Sequence, residues 1–280
     1  MLGLADLPVE LLLHIHLLSL SSTLPHLSRS FRALFSSTSP YHKASYLLLR
    51  HPAHKTLSHA IRYPICTLSV LHTLERINKE KQGKKLKCPQ LPRRLFSRLS
   101  PSQHSTNPSL DHLSLIQYLL KEYKASPNSH TGYPLARAVY SGDFELIRVL
   151  LENGADPGLK EGWAVVTAIM KGSDDKAGGL PMVRALIERD YPLPVPRSAQ
   201  PEELPTAGGT VQSDGSRKKK RKRDKVETVD SSPAKRVKLE DRCKPTPEML
   251  ETAVKYKQWD IIDYLTKKGA TPNLNVLKLL

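Results

Sequence analysis

The chain has 280 residues, enough for one or two domains, with 6% aromatic residues and 22 prolines, which favours helical layers and linkers over a large sheet core. The net charge of +16 is concentrated in two segments. Residues 79–98 contain eight Lys or Arg against one acid, and residues 194–244 contain fourteen against eight. This distribution argues against a protein that binds nucleic acid over its whole surface.

Three widely spaced cysteines without a CxxC pair indicate free thiols in a reducing compartment. The leucine-rich first twenty residues contain acids and histidines and lack a basic leader, so neither a signal peptide nor a membrane span is expected.

The first fifty residues predict three short helices. The spacing of apolar residues and the proline at the first helical position favour a helix over 9–18, a second over 24–35 and a third over 41–49. Such apolar helices need a partner surface.

This N-terminal stretch resembles an F-box. Leu7, Pro8 and Glu10 match the family's LPxE opening, and Thr23-Leu24-Pro25 replaces its usual acidic residue, which leaves the register of the second helix open. The resemblance implies that residues 1–50 dock onto the Skp-type adaptor of a cullin-based ubiquitin ligase. The implied adaptor contacts are Leu7, Pro8, Glu10, Leu11, Ile15, Leu18, Leu27 and Phe31. The alternative is a helical cap on the repeats that follow.

The centre of the chain, residues 132–159, reads GYPLARAVYSGDFELIRVLLENGADPGL and predicts two helices separated by Gly142. This stretch resembles an ankyrin repeat in its Pro134-Leu135 and Gly154-Ala155-Asp156 positions. Two short helices cannot bury their apolar faces alone, so stacked copies are expected. Weaker copies occur over 55–77, 110–128 and 162–188, which makes 51–191 a degenerate repeat array in an all-α fold.

Tyr133 and Trp163 occupy slots where the ankyrin family usually has Thr, and the family's His is missing. We therefore expect the hydroxyl and imidazole hydrogen bonds that tie neighbouring ankyrin turns to be lost and the array to be modestly stable. The resemblance also implies that a partner meets the tips of the turns and the exposed side of the inner helices. The resulting candidates for substrate contact are His130, Tyr133, Arg137, Tyr140, Lys160, Glu161 and Trp163. The alternative is that the two aromatic residues fill the core.

Residues 79–98 form a basic stretch, and its Gly83 and Pro89 predict a long exposed loop. A solvated loop, an anionic partner and nuclear import remain open as interpretations.

Residues 192–244 are rich in Pro, Ser, Gly and charge, and we expect this insertion to be disordered. Its two basic clusters fit a bipartite nuclear import signal, and PAKRVKLE resembles the monopartite, Myc-type signal; importin is the implied partner. The signal residues are Arg217, Lys218, Lys219, Lys220, Arg221, Lys222, Arg223, Lys235, Arg236 and Lys238. Ser232, before Pro233, fits a proline-directed kinase site, and phosphate there would weaken importin binding. A Ser232→Asp variant as nuclear as the natural chain would refute that hypothesis.

Residues 245–280 predict a last repeat and a C-terminal cap, with Thr246 as the N-cap and Pro247 as the first helical residue.

The sequence carries no phosphate loop, HExxH or nucleophile elbow, so we expect a non-catalytic chain without metal or cofactor. Three functional hypotheses follow. The chain is a substrate receptor of an SCF-type ubiquitin ligase, a nuclear ankyrin scaffold or transcriptional cofactor without a ubiquitin role, or a binder of nucleic acid. A nuclear location is expected in the first two cases, with shuttling to the cytoplasm left open; a membrane partner is not expected.

Overall fold

The computed structural model describes residues 7–52, 55–82, 86–97, 108–172, 179–193 and 240–279. Regular structure in these ranges is α-helical, so the all-α class predicted from the sequence is confirmed. The exceptions among the described residues are a 3-10 turn over Leu24–His26 and a parallel β-bridge between Gln90 and Ser126.

Three helices form the N-terminal unit, α1 (Val9–Ser19), α2 (Arg29–Ser37) and α3 (Pro40–Arg50). The second helix begins later than predicted. Residues 24–26 form a 3-10 turn, and the extended Ser28 then caps α2 by accepting a 3.1 Å hydrogen bond from the backbone N–H of Phe31. A serine hydroxyl is a strong N-cap, and the extended backbone of Ser28 (φ −150°, ψ 162°) separates the 3-10 turn from α2, so no continuous helix runs from residue 24.

A small core holds this unit together. It is built from Leu12, Leu24, Phe31 and Phe35, with Leu7 partly buried against them. Helix α3 belongs at the same time to the larger core, because it packs along α5. The N-terminal unit is therefore attached to the rest of the fold through α3.

The remaining helices contact one another in two main series, which we call the inner and outer rows. Inner helices α6, α8, α10, α12 and α14 follow one another, while α5 packs on α7 and α11 on α13 in the outer row. The bounds are α4 Thr56–Ala60, α5 Leu68–Gln82, α6 Arg94–Ser97, α7 Pro108–Glu122, α8 Ser129–Ser141, α9 Phe144–Glu152, α10 Leu159–Gly172, α11 Leu180–Ile187, α12 Pro247–Lys255, α13 Trp259–Lys267 and α14 Leu274–Leu279.

The sequence explains why these pairs form. Asp143 caps α9 by accepting a 3.0 Å hydrogen bond from the backbone N–H of Leu146, and Thr246 caps α12 as predicted. Leu146, Ile147 and their counterparts in neighbouring helices are fully buried between the rows. Each such side chain stabilises the fold by about 1.5–3 kcal/mol, so neighbouring pairs stabilise one another.

The inner helices α8 and α10 each contain a left-handed turn near their start. His130, Thr131 and Gly132 have φ of 54°, 58° and 81°, and Lys160 and Glu161 have φ of 52° and 57° ahead of Gly162. Left-handed backbone is rare in residues with a Cβ and costs about 1–2 kcal/mol per residue. The left-handed turns therefore interrupt the regular backbone of both helices before Tyr133 and Trp163.

Two sequence-based boundaries were wrong. The basic stretch 79–98 is not a long exposed loop, because α5 extends to Gln82 and Leu86, Cys88 and Leu91 are buried in the core. The insertion also ends before residue 244. Cys243 is buried, and the N–H of Arg242 donates a 2.7 Å hydrogen bond to the carbonyl of Ile187. In both places apolar side chains within a charged stretch override its polar composition.

Among the described residues, no helix is long and apolar enough to cross a membrane. The import-signal residues 217–223, 235, 236 and 238 and the kinase-site residue Ser232 lie outside the described residues.

Candidate partner-binding surfaces

Helix α1 is apolar on two opposite sides. Leu12 and His16 face the protein interior. Leu11, Ile15 and Leu18 share the other side, since they follow one another at the spacing of helical turns. Leu11 is 52% exposed and Leu18 78%, and Leu27 in the following turn is 63% exposed. These four residues, which we call the apolar face, were among the predicted adaptor contacts.

The other predicted adaptor contacts are placed differently. Pro8 and Glu10 are exposed at the start of α1, where Pro8 is the N-cap residue. Phe31 is only 7% exposed and Leu7 is half-buried, because both pack in the small core. Phe31 is therefore a residue of the protein interior, which corrects its prediction as a contact.

The buried side of α1 contains a pair of histidines. His16 Nδ1 lies 3.2 Å from Nε2 of His42 on α3, and its ring stacks on Tyr46 at a centroid distance of 4.3 Å. Burial, and next the charge of His42, lower the pKa of His16 to about 4; burial also lowers the pKa of His42. Both imidazoles are therefore neutral at physiological pH and fix α1 against α3.

A cationic cleft opens on the inner side of the helical stack. Arg62, Pro92, Arg93, Arg94 and His130 line it, and its volume is about 310 Å³. The three arginines are exposed, and within the described part of the chain none of them pairs with a carboxylate. His130 reaches the cleft from the left-handed turn of α8. The cleft therefore concentrates positive charge that the fold itself does not neutralise.

A row of aromatic rings continues from the cleft across two inner helices. The guanidinium of Arg93 lies 5.6 Å from the ring centre of Tyr133, the Tyr133 and Trp163 ring centres are 6.1 Å apart, and Lys160 Nζ lies 4.2 Å above Trp163. Both rings are partly buried against the core and partly accessible. Cations over ring faces are electrostatically favourable, so each ring is held between a cation and its neighbour.

The row ends at a pair of acids. Glu161, next to Lys160, shares a hydrogen bond with Glu248 at the start of α12, and this contact, followed by burial, raises the pKa of Glu248. Two adjacent carboxylates favour a shared proton or a bound cation. The inner surface thus changes from basic to aromatic to acidic along the stack.

Arg137 and Tyr140, the last predicted contacts, lie on α8 beside the row. Arg137 Nε donates a 3.2 Å hydrogen bond to the carbonyl of Phe96, and its guanidinium lies 4.7 Å from the ring centre of the exposed Tyr140. All seven predicted contacts are therefore on or next to one surface.

Neighbouring turns are hydrogen-bonded to one another through side chains other than those of the ankyrin pattern. Asn128 donates to the carbonyl of Gly154 and accepts a 2.8 Å bond from the N–H of Asp156, and Thr246 Oγ1 donates a 3.1 Å bond to the carbonyl of Glu161. The bonds lost at the aromatic positions are thus replaced by polar side chains elsewhere in the turns.

Sequence reasoning missed Arg62, Arg93, Arg94 and Glu248. Pro92, two residues before the short helix α6, was a usable signal for Arg93 and Arg94, since proline favours helix starts. Nothing in the local sequence marks Arg62 or Glu248, because their positions depend on the packing of distant segments. Among the described residues, no group of three His, Cys, Asp or Glu is placed to hold a metal ion.

The geometry defines an all-α protein with two accessible surfaces of different chemistry, one apolar and one charged and aromatic. Comparison of the chain with protein-family models, with curated proteins and with solved structures found no match.

Proposed function

We propose that this chain is the substrate-receptor subunit of an SCF-type ubiquitin ligase. In this account the F-box-like helices bind a Skp-type adaptor attached to a cullin, and an ankyrin-like helical solenoid binds the protein substrate. The observation that carries the proposal is the apolar face of α1, with Leu18 at 78% exposure.

Exposed leucines on a helix that already buries its opposite side favour a second helical partner. A cap on the repeats would need only one apolar side, and α1 meets the small core through Leu12 and His16. The apolar face of α1 is then free for a helix-packing interaction, the mode that the F-box resemblance implies.

The helix pairs support the second half of the proposal. Their stacking in two rows leaves one continuous inner surface, on which the cationic cleft, the aromatic row and the acidic pair lie together. Arg and aromatic residues are enriched where proteins bind one another, so this surface is the best candidate for the substrate.

The mechanism is one of proximity. A receptor that holds adaptor and substrate at once raises the local concentration of a substrate lysine near the conjugating enzyme that the cullin recruits. Covalent chemistry belongs to other subunits in this account, and the chain needs no cofactor.

The import signals would bring the assembly to the nucleus by binding importin through an extended basic segment.

The proposal is tested by affinity purification of the tagged chain from cells. Recovery of the Skp-type adaptor and its cullin with the natural chain, and their loss with a Leu11→Glu, Leu18→Glu variant, is the expected result. Leu274→Glu is the matched control, because Leu274 is 76% exposed on the distant α14. Absence of the adaptor from all three samples would refute the proposal and leave the nuclear ankyrin scaffold as the better account.

A further inference from the structure

We propose that the cationic cleft binds a phosphorylated serine or threonine of the partner protein, and that the aromatic row and the acidic pair bind the residues that follow. The identification of such phosphorylated proteins as the substrates of a ubiquitin ligase rests on the proposed receptor function. The binding of the phosphate itself does not require the adaptor.

The charge of the cleft favours a phosphate. Arg62, Arg93 and Arg94 contribute three permanent positive charges, and His130 adds a further nitrogen. A single carboxylate would neutralise one of these charges and offer two oxygens. A phosphomonoester carries about −1.5 to −2 charge and three strong acceptor oxygens, which the planar guanidinium groups bind in pairs.

The rest of the surface favours a peptide over a nucleic acid. A nucleic-acid strand carries a phosphate at every nucleotide, and its path along the aromatic row would end over Glu161 and Glu248. Two acids at that position repel a polyanion. The same acids favour a lysine or arginine in a peptide that places its phosphate in the cleft.

The dimensions define the peptide. Neighbouring helices pack about 10 Å apart, and the cleft is separated from the acidic pair by about two such spacings, or roughly 20 Å. An extended chain advances about 3.3 Å per residue, so this span corresponds to about six residues. The partner segment is therefore a phosphorylated residue, an apolar residue about three positions away over Tyr133 and Trp163, and a basic residue about six positions away.

The test uses the purified full-length chain without adaptor. The probes are three degenerate peptide libraries that differ at a fixed central residue, which is phosphothreonine, threonine or glutamate. Capture is compared for the natural chain, for Arg93→Gln with Arg94→Gln, and for a control that loses the same charge, Arg32→Gln with Arg76→Gln. The control arginines are exposed on α2 and α5 and do not line the cleft.

We expect phosphothreonine peptides to be captured at least about tenfold better than threonine peptides, and this preference to be lost with the cleft variant and kept by the control. Sequencing of the captured peptides should show the apolar and basic preferences at the stated spacing. Glu161→Gln with Glu248→Gln should erase the basic preference and keep the phosphate preference.

Equal capture of the three libraries would overturn the proposal, as would equal losses in cleft and control variants. Binding of a single-stranded oligonucleotide that depends on Arg93 and Arg94, without phosphopeptide capture, would show a nucleic-acid site instead. Thermal melting of each variant establishes that it is folded. Because adaptor binding is measured separately, phosphopeptide capture without adaptor recovery would refute the receptor function alone, and the converse would refute the phosphate site alone.

Discussion

Arg242 Nη1 donates a 2.7 Å hydrogen bond to the carbonyl oxygen of Ala185, 57 residues earlier in the chain. The same group donates to the carbonyl of Glu188, and the Arg242 N–H bonds the carbonyl of Ile187. One arginine thus satisfies the otherwise unpaired carbonyls at the C-terminal end of α11. It holds the return of the insertion against the helical stack.

Replacing Arg242 with alanine should lower the free energy of unfolding by about 1–3 kcal/mol, because carbonyls at the end of α11 lose their hydrogen-bond partners. Chemical denaturation of the full-length chain measures this change. Lys244→Ala, at an exposed position two residues later, is the control and should stay within about 0.5 kcal/mol of the natural chain. Equal effects of the two substitutions would contradict the role given to Arg242.

Replacing residues 194–239 with a short Gly-Ser linker should remove nuclear accumulation and change the melting temperature by no more than a few degrees. The fold keeps its anchor at Arg242, while both basic clusters are removed. Imaging and thermal melting give the two readouts. Lys235→Ala with Arg236→Ala and Lys238→Ala in the full chain should reduce import without changing the melting temperature. Nuclear accumulation of the linker variant equal to that of the natural chain would refute the import signal.

Gly162→Ala should destabilise the fold more than Gly154→Ala. Both glycines have left-handed backbone conformations, with φ of 78° and 85°. Placing an alanine in either conformation therefore costs about the same free energy, near 1 kcal/mol. A Cβ at Gly162 would also lie 1.9 Å from the terminal methyl of Met249, which must move, whereas nothing lies within 4 Å of one at Gly154. The difference between the two unfolding free energies therefore measures the contact between α10 and α12. Equal effects would show that this contact is adaptable.

Acid should destabilise the attachment of α1 to α3. In the unfolded chain an imidazole binds its proton below a pKa of about 6.5, whereas His16 in the folded chain binds one only below about 4. The unfolded state thus binds more protons between these values. The free energy of unfolding should therefore be constant above about pH 6.5 and fall as pH decreases towards 4, by up to about 1.4 kcal/mol per pH unit.

His16→Gln should make that decrease shallower, because glutamine can replace the hydrogen bond to His42 and does not titrate. His42 keeps a contribution of its own, since its pKa is also lowered. His14→Gln is the matched control on the exposed side of α1 and should leave the slope unchanged. Unfolding measured from pH 7 to pH 4 checks this, and identical slopes for the two variants would contradict it.

The sequence predicted the elements whose signals are local. The Thr246 cap, the outer helix after Asp143 and the helix starting at Val9 depend on hydrogen bonds and apolar spacing within a few residues. The start of α2 was wrong because Ser28 competes with the earlier Leu24-Pro25 as the point of helix entry.

The candidate surfaces were predicted only where their residues follow from a local sequence pattern. The apolar face of α1 follows from spacing within one helix, whereas the cationic cleft joins Arg62, Arg93 and His130 from three separate segments. The left-handed turns that carry His130 and Lys160 share a glycine and an aromatic residue after it, but their non-glycine left-handed residues have no common chemistry. Positions of this kind depend on packing between distant segments and cannot be read from a local pattern.

The central claim is tested most directly by titrating the purified chain with a purified Skp-type adaptor in a calorimeter. The account predicts binding in the micromolar range or tighter, at least a tenfold weaker Kd for Leu11→Glu with Leu18→Glu, and an unchanged Kd for Leu274→Glu, where about 1.4 kcal/mol corresponds to each factor of ten. No heat of binding with the natural chain, or equal binding by the apolar-face variant, would contradict the claim that α1 docks the adaptor.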